Sequence, residues 1–447
     1  MESPRWAAAR LIITFGMKQT NKHHYVVVLL SLLIGIIPVA ETGAQTLPSQ
    51  CGANVVNNKV SLACIMRTQA DAFLQDMPSD LQQKQTLAIL KAIEGDNGLL
   101  MAVRHSRNTQ PKYADNVQTR MITGTMRMYE PKECQDEPLP VLLYLHGGGW
   151  TFGSINSCEK FCNAMAVAGK IKVIALDYRL APEHPYPEGL HDCIDAVKYI
   201  ISHADELHID VNRITLGGDS SGGNLALATA LSETCRNKIE SLLLFYPVTK
   251  AYNDGSESWQ LYGKGFGLDA EIMEAFNHAY TLRADAHATS ISVGLCSDEE
   301  LQTLPRTLMI AAERDILRDQ GKAFAERMGG KVKRMEYEGT VHLFITVPGQ
   351  DTAFERAVKD ALTFIDDRQR ACQRIWLMSN KNIVSWHEMT VRSHETIISC
   401  HETTISSCIT FAEAPFSCYD NHSFDVVKAT IGTVSEYATS RHSLSNI

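Results

Sequence analysis

From about residue 120 to residue 365, short and continuously apolar runs alternate with longer segments whose apolar residues recur every three or four positions. The short runs predict strands buried on both faces, and the longer segments predict amphipathic helices. Clear examples are the strand Leu139–Leu145, the helix Leu190–Leu207 and the closing helix Phe354–Ile365. Strands separated by helices indicate an α/β fold with a mostly parallel central sheet and helices on both faces.

The same pattern predicts the remaining elements of this sheet. One weakly alternating segment and five apolar runs are expected strands: Met121–Met128, Ile171–Leu176, Ile214–Leu216, Ser241–Phe245, Leu308–Ala312 and Val332–Tyr337. Further helices are expected over Phe161–Ala168 and Asn224–Ala230. Ligands of such sheets bind at the carboxyl ends of the strands, so candidate chemistry is sought in the loops that follow them.

Two segments interrupt the alternation. Residues 45–118 precede the first strand and carry helical patterns over Ala63–Phe73 and Leu81–Ile93. Residues 252–303 show no strand pattern but many bulky side chains: Trp259, Leu261, Tyr262, Phe266, Met273, Phe276 and Tyr280. We expect both segments to contribute helices to a cap over the carboxyl edge of a catalytic domain spanning residues 119–371. For residues 45–118, a packing appendage is an equally open alternative.

The two ends of the chain differ from the rest. Residues 1–44 combine a basic start, an apolar run over Tyr25–Ala40 and small residues before a cleavage point after Ala44, which is typical of a secretory signal peptide. Met17 is an alternative start for this signal. The apolar run is shorter than the roughly 20 residues of a spanning helix, so we expect export and no stable membrane insertion after cleavage, with an uncleaved anchor as the alternative.

Residues 372–447 follow the closing helix and lack the strand–helix pattern. They include a short repeat, His394–Cys400 followed by His401–Cys408. We expect a poorly ordered extension that adds nothing to the chemistry of the core.

Composition narrows the classes of function. The 447-residue chain is 45% hydrophobic and 21% charged, as expected for a globular protein, and its net charge of −9 argues against nucleic acid as a partner.

Of the twelve cysteines, Cys51 and Cys64 could form a disulfide. Four others are expected as apolar residues of helices: Cys158, Cys162, Cys193 and Cys235. Their spacing predicts no metal site.

A candidate nucleophile follows the strand Ile214–Leu216. The sequence Gly218-Asp219-Ser220-Ser221-Gly222 lies between this strand and the helix Asn224–Ala230, which is the pattern of a nucleophile elbow. The two glycines allow strand and helix to approach closely, and the turn holds Ser220 in a strained backbone conformation at the N-terminus of the helix.

A serine hydroxyl needs a base and an orienting carboxylate before it can attack. Asp315 directly follows the strand Leu308–Ala312, and His342 directly follows the last strand, so both are expected at the same sheet edge as Ser220. Glu313 and Asp319 are rival acids. An oxyanion would need backbone donors, and these are expected from the glycines that follow the strand Leu139–Leu145 and from the N–H of Ser221. His146 is expected to brace this loop by hydrogen bonds.

Four motifs together resemble the hormone-sensitive-lipase family of α/β-hydrolase esterases: His146–Trp150, Asp177–Pro187, Gly218–Gly223 and Asp315–Asp319. The resemblance covers about residues 120–370. It implies an α/β-hydrolase fold with a helical cap. It also implies the roles of the site residues: Ser220 as nucleophile, Asp315 as acid, His342 as base, and Gly148, Gly149 and Ser221 as oxyanion donors. It gives Tyr178–Pro187 a structural role.

The chain departs from that family at Leu343, where a glycine is frequent. If this position needs a positive φ, a leucine there is strained by about 1 kcal/mol or more.

These expectations predict a serine carboxylesterase that hydrolyses short-chain, acetyl-like esters of small molecules without a metal or cofactor. An amidase or peptidase using the same triad is one alternative, and a non-catalytic binding protein on a hydrolase scaffold is another. A homodimer is compatible with the sequence.

Overall fold

A computed structural model describes residues 60–108, 113–134 and 137–366. The predicted signal peptide over residues 1–44 and the predicted tail over residues 372–447, with its His/Cys repeat, lie outside these residues. Cys64 is disulfide-bonded. Because Cys51 lies outside the described residues, the pairing of these two cysteines stays a prediction.

Within the described residues, eight strands form one mixed sheet in the order β1-β2-β4-β3-β5-β6-β7-β8. Strand β2 is antiparallel to both of its neighbours, and all other pairs are parallel. The strands are β1 Val117–Met121, β2 Met126–Pro131, β3 Leu139–Leu145, β4 Lys172–Leu176, β5 Ile209–Asp219, β6 Ser241–Phe245, β7 Arg306–Arg314 and β8 Val332–Val341. The predicted α/β fold is therefore confirmed.

One predicted strand, Met121–Met128, is wrong. The segment contains the end of β1, a turn and the start of β2. The hydroxyl of Thr123 accepts hydrogen bonds from the backbone N–H groups of Thr125 and Met126, and this local bonding closes the turn.

Helices flank the sheet and precede it. They are α1 Leu62–Asp76, α2 Leu81–Ile93, α3 Gly98–Arg107, α4 Glu159–Ala168, α5 Glu188–Ser202, α6 Ser221–Leu231, α7 Glu257–Tyr262, α8 Ala270–Tyr280, α9 Asp298–Leu301 and α10 Arg318–Met328, followed by a helix over residues 351–366. Helix α5 ends at Ser202, earlier than the predicted Leu207. The apolar pattern of the sequence extends beyond the helix to Leu207 because this residue is buried in the same core as the helix.

Two hydrophobic cores lie on the two faces of the sheet. Alternate residues of β3 divide between them, with Leu143 in one core and Leu142 in the other. Helices α5, α6 and α10 contribute to the first core, and α4 and the helix over residues 351–366 contribute to the second. Both faces of the central strands are thus covered, which explains why these strands carry apolar residues on both of their faces.

The described cysteines other than Cys64 are free and buried. Cys162 and Cys193 lie in α4 and α5 as predicted, but the placement of Cys158 and Cys235 in helices is wrong. Cys158 immediately precedes α4, and Cys235 lies in a turn after α6. All of them still act as the small apolar residues that were expected.

In the described parts of the two segments that interrupt the sheet pattern, helices are the main regular structure. Helix α1 packs against β8, and α2 packs against α8 of the segment between β6 and β7. The side-chain oxygen of Gln82 accepts a hydrogen bond from the backbone N–H of Asp269, which joins α2 to the start of α8. In the part of the chain that the structure describes, every helix is too short or too polar to cross a bilayer.

Candidate active site

The turn between β5 and α6 has the strained conformation that its sequence predicts. Ser220 lies at φ 55° and ψ −118°, a region that costs a non-glycine residue about 1–3 kcal/mol. A Cβ on Gly222 would lie 2.0 Å from the carbonyl oxygen of Leu145 in β3, so only glycine fits there. The backbone around Ser220 is held at both ends, because its N–H donates to the carbonyl of Phe245 and its own carbonyl accepts from Val248.

The structure brings Ser220, His342 and Asp315 together at the carboxyl edge of the sheet. His342 Nε2 lies 3.1 Å from Ser220 Oγ, and His342 Nδ1 lies 2.6 Å from Asp315 Oδ2. All three residues are buried. The second oxygen of Asp315 accepts the backbone N–H of Leu317, which fixes the carboxylate plane. The three side chains form a continuous hydrogen-bonded relay, in which a buried carboxylate orients the imidazole beside the hydroxyl.

The two rival acids have other partners. Glu313 pairs with Arg67 of α1, and its carboxylate also accepts the backbone N–H of Gly339. Asp319 pairs with Arg318 and accepts the backbone N–H of Ser258. These hydrogen bonds lower the pKa of Asp319 although partial burial opposes them. Of the three carboxylates, Asp315 is therefore the one placed to orient His342.

The loop after β8 places the imidazole. Leu343 adopts φ 74°, so the position does require the left-handed conformation that glycine favours. Its carbonyl accepts the N–H groups of Thr346 and Val347, which closes the turn. On the other side, the buried amide of Gln350 donates to the carbonyl of His342, and the ring of Tyr246 packs on the imidazole at 4.3 Å between centroids.

The loop after β3 fixes the direction of two backbone N–H groups. The carbonyl of Gly147 accepts a hydrogen bond from the His146 ring, and the carbonyl of Gly148 accepts hydrogen bonds from the backbone N–H groups of Thr151 and Phe152. In a trans peptide, the carbonyl and the following N–H point in opposite directions. The N–H groups of Gly148 and Gly149 therefore point away from the groups that bond these two carbonyls.

His146 braces this loop. Its Nδ1 lies 2.9 Å from the carbonyl oxygen of Gly147, so this nitrogen carries the proton. The ring stacks on Tyr178 at 4.4 Å between centroids, and the Tyr178 hydroxyl donates to the backbone carbonyl of His146. Complete burial lowers the pKa of His146, which keeps the imidazole neutral. The hydrogen bond and the stacking of this neutral imidazole thus hold the loop in place.

Asp219 is a second buried support that sequence analysis missed. Its carboxylate accepts hydrogen bonds from the backbone N–H of Gly147 and the hydroxyl of Tyr144, each at 3.0 Å. Desolvation raises the pKa of Asp219 to about 6, although these hydrogen bonds oppose the shift. Its position at the end of the apolar strand β5, directly before the candidate nucleophile, is a signal that could have identified it, since buried carboxylates need donors.

The segment between β6 and β7 covers the loop after β3. Ring atoms of Phe276, on α8, lie 2.1–2.4 Å from the position that a Cβ on Gly149 would take. Tyr280, one turn later, stacks on Trp150 at 4.3 Å between ring centroids. The absence of a side chain at Gly149 therefore allows both backbone exposure and close approach of an aromatic ring.

Helix α3 also contacts the loop. The guanidinium of Arg104 donates to the carbonyl oxygens of Thr151 and Ala181, each at 2.8 Å, and forms two hydrogen bonds with the carboxylate of Glu183. Ala181 belongs to the Tyr178–Pro187 turn, for which sequence analysis predicted a structural role. Arg104 ties this turn to the loop that carries the glycines.

Metal ligation has no support at this site. Among the described residues, histidine, cysteine and carboxylate side chains form no cluster of three that could hold an ion.

The comparisons with known proteins agree with this architecture. A family model described as an alpha/beta hydrolase fold matches residues 142–346, a range that contains the relay and the glycine loop. An α/β hydrolase of Acanthamoeba polyphaga mimivirus is 35% identical over 221 residues, which are 48% of this chain and 63% of that protein. The chain thus spans less than two thirds of that relative's length.

Two further proteins match over most of their own length. The ethyl acetate hydrolase of Pseudomonas putida is 36% identical over 233 residues, covering 50% of this chain and 72% of that enzyme. The solved structure of an ester hydrolase from the metagenome of Lake Arreo, in complex with a bipyridine phosphonate derivative, is 27% identical. It has a TM-score of 0.57 and covers 68% of this chain and 98% of that one. On the strength of fold, motifs and relatives, the chain belongs to the hormone-sensitive-lipase family of α/β-hydrolase esterases.

Proposed function

We propose that the protein is a serine carboxylesterase that hydrolyses short-chain esters through an acyl-enzyme. The observation that carries this proposal is the relay from Ser220 Oγ through His342 to Asp315, with contacts of 3.1 and 2.6 Å. Membership of an esterase family supports the reaction class.

In the acylation step, His342 Nε2 accepts the proton of Ser220 as Oγ attacks the ester carbonyl carbon. Asp315 stabilises the imidazolium that forms, because its carboxylate already accepts the Nδ1 proton. The carbonyl oxygen becomes an oxyanion and accepts hydrogen bonds from the N–H groups of Gly148, Gly149 and Ser221. Ser221 begins α6, so the positive end of the helix dipole adds to this stabilisation.

Collapse of the tetrahedral intermediate breaks the bond to the alkoxy oxygen. His342 gives its proton to that oxygen, and the alcohol leaves. Water then attacks the acyl-enzyme, with His342 as base again, and the carboxylic acid is released while Ser220 is regenerated. Every proton has a donor and an acceptor among these groups, so the proposed cycle uses no cofactor.

A short acyl or alkoxy group is supported by the aromatic cover over the glycine loop. Phe276 lies directly on Gly149, and Phe152 packs edge-on against Phe276 at 5.3 Å between ring centroids. A group bound beside the oxyanion donors meets these rigid rings. The name of the Pseudomonas putida relative, ethyl acetate hydrolase, is consistent with a small substrate for this chain as well.

The test is hydrolysis of a series of p-nitrophenyl esters, from acetate to long acyl chains, by the full chain and by Ser220→Ala. We expect kcat/KM to be highest for the shortest acyl groups and to fall by about 10⁴-fold or more in Ser220→Ala. Uniform or increasing activity along the series would contradict the short-chain assignment.

Two controls address the other functions. A matched p-nitroanilide should be cleaved far more slowly than the ester, and faster cleavage would favour an amidase or peptidase. A fluorophosphonate probe should label the wild-type chain at Ser220. A chain that is neither labelled nor active on any ester would be a binding protein on this scaffold.

A further inference from the structure

The residues immediately before Asp315 and His342 are joined to helix α1 by a group of four charged side chains. Two of them, Glu313 and Arg314, end β7 and directly precede Asp315. The other two, Arg67 and Asp71, lie one turn apart on α1. We call these four residues the α1 clamp.

The clamp holds the backbone of Gly339, three residues before His342. The Gly339 N–H donates to Glu313 Oε2 at 2.5 Å, and its carbonyl accepts from Arg314 Nη2 at 2.6 Å. Both polar groups of this peptide segment are therefore bonded by side chains that adjoin Asp315. The same two side chains thereby link the strand that carries the acid to the loop that carries the base.

A register shift makes these contacts necessary. Ala312 pairs with Tyr337, but Arg314 pairs with Val341, so β8 contains extra residues opposite Glu313. The extra segment cannot complete its hydrogen bonds with the β7 backbone, because a bulged strand leaves residues unpaired. Side chains of the α1 clamp take the place of the missing strand partner.

Helix α1 supplies the opposite charges. Arg67 Nη2 lies 3.1 Å from Glu313 Oε2, and Asp71 Oδ1 lies 2.5 Å from Arg314 Nη1. Arg314 is buried, so its guanidinium depends on Asp71 for a charged partner. Each charged group that bonds Gly339 is thus balanced by one residue of α1.

The helix also approaches Gly339 closely. Gly339 adopts φ 82°, and a Cβ there would lie 2.7 Å from backbone atoms of Ala63 and Arg67. Helix α1 therefore rests on the bulge itself, and its charges and its backbone act at the same point.

We propose that the α1 clamp sets the distance between Asp315 and His342, so that Arg67 and Asp71 are positioning residues for the proposed ester hydrolysis. Helix α1 then affects the rate by positioning Asp315 and His342, although it contributes no group to the reaction itself. A displacement of about 1 Å in such a relay costs up to about 10²-fold in rate, so loss of the α1 charges is expected to lower kcat about tenfold.

The experiment compares full-length wild type with Arg67→Gln/Asp71→Asn and with the charge-preserving Arg67→Lys/Asp71→Glu. The matched control is Lys84→Gln/Asp80→Asn, which removes an exposed ion pair at the start of α2 and leaves all four residues of the α1 clamp unchanged. We expect about a tenfold fall in kcat for p-nitrophenyl acetate and less than a twofold change in KM for the first variant, partial recovery in the second, and wild-type values in the control.

A second measurement needs no substrate. The ¹H resonance of the Nδ1 proton between His342 and Asp315 should shift or broaden in Arg67→Gln/Asp71→Asn but not in the α2 control. An unchanged resonance together with unchanged kcat, or a rise in KM alone, would overturn the proposal. If the double variant does not fold, Asp71→Asn alone is measured by the same criteria, because Asp71 is a partly exposed partner.

This inference rests on the proposed esterase activity, but the two can fail separately. A wild-type chain without activity on any ester contradicts the proposed function. The proton resonance still reports whether α1 holds the relay.

Discussion

The relay of Ser220, His342 and Asp315 and the glycine loop over residues 146–152 lie next to each other at the turn that carries Ser220, but they are built in opposite ways. The relay acts through side-chain atoms at the ends of three strands, so its chemistry depends on which atoms donate and accept protons. In the proposed mechanism the loop acts through backbone N–H groups, so its contribution depends on conformation and on the space around its glycines. The relay therefore tolerates few changes of residue type, whereas the glycine loop tolerates few changes of side-chain volume.

Their supports differ in the same way. In our proposal the α1 clamp holds the relay, together with the turn at Leu343. The loop is held by the buried imidazole of His146, by the buried carboxyl group of Asp219 and by the aromatic ring of Phe276. Changes of charge should therefore disturb the relay most, and changes of volume should disturb the loop most.

The largest effect is expected from Asp315→Asn, which changes one atom type and no volume. The backbone N–H of Leu317 should keep the amide oxygen in place, leaving the amide NH₂ facing His342 Nδ1. The imidazole must then carry its proton on Nε2 and can no longer accept the proton of Ser220. We expect kcat to fall about 10⁴-fold with little change in stability.

Asp319→Asn is the matched control, because Asp319 bonds Arg318 and Ser258 and not His342. A similar loss in both variants, measured with p-nitrophenyl acetate, would mean that Asp315 has no special role in the relay.

An intermediate effect is expected from Gly149→Ala, which changes volume and no charge. A methyl group at φ 61° would enter the ring of Phe276 and displace either the ring or the donor N–H. Loss of one oxyanion donor typically costs about 10²–10³-fold in kcat, and we expect a fall within this range. The addition of Phe276→Ala should restore part of the activity if the collision is the cause.

Gly330→Ala serves as the control for this substitution, since Gly330 is exposed and no heavy atom lies within 4 Å of its added Cβ. Equal activity of Gly149→Ala and Gly330→Ala would show that the loop tolerates a side chain and would weaken its assignment as oxyanion donor.

The smallest effect on activity is expected from Asp219→Asn. This variant tests whether a change of charge disturbs the glycine loop less than it disturbs the relay, because Asp219 bonds the loop at Gly147. The amide oxygen can still accept from Gly147 and Tyr144, so only the charge assistance of these bonds is lost. This difference is about 1 kcal/mol, or about fivefold in kcat.

The same variant has a larger effect on pH-dependent stability. Burial raises the pKa of Asp219 from 3.8 to about 6, so the folded chain binds more protons than the unfolded chain between these values. The stability contributed by this residue therefore falls as pH rises through the window, by about 3 kcal/mol in total. Urea unfolding from pH 4 to pH 7 should show this slope in wild type but not in Asp219→Asn. Asp195→Asn on the exposed face of α5 should keep the wild-type slope.

Sequence alone determined much of this protein. Continuous apolar runs identified the central strands, because strands covered on both faces have no polar side to display. Glycines on both sides of Ser220 identified the turn at the end of β5, since no other residue permits that approach. The positions of Ser220, Asp315 and His342 directly after three strands placed them at one edge of the sheet, where the structure has them.

Other features came only from the tertiary structure. The turn within Met121–Met128 escaped the pattern because a hairpin that is closed by local hydrogen bonds keeps a strand-like alternation. The contacts of Asp219 with Gly147, of Phe276 with Gly149 and of α1 with Gly339 join residues 72 or more positions apart. Periodicity describes only which side of an element is buried, and it contains no information about which distant element covers that side. Local pattern thus determined the elements and the candidate site residues at their ends, and packing between distant segments decided what holds them in place.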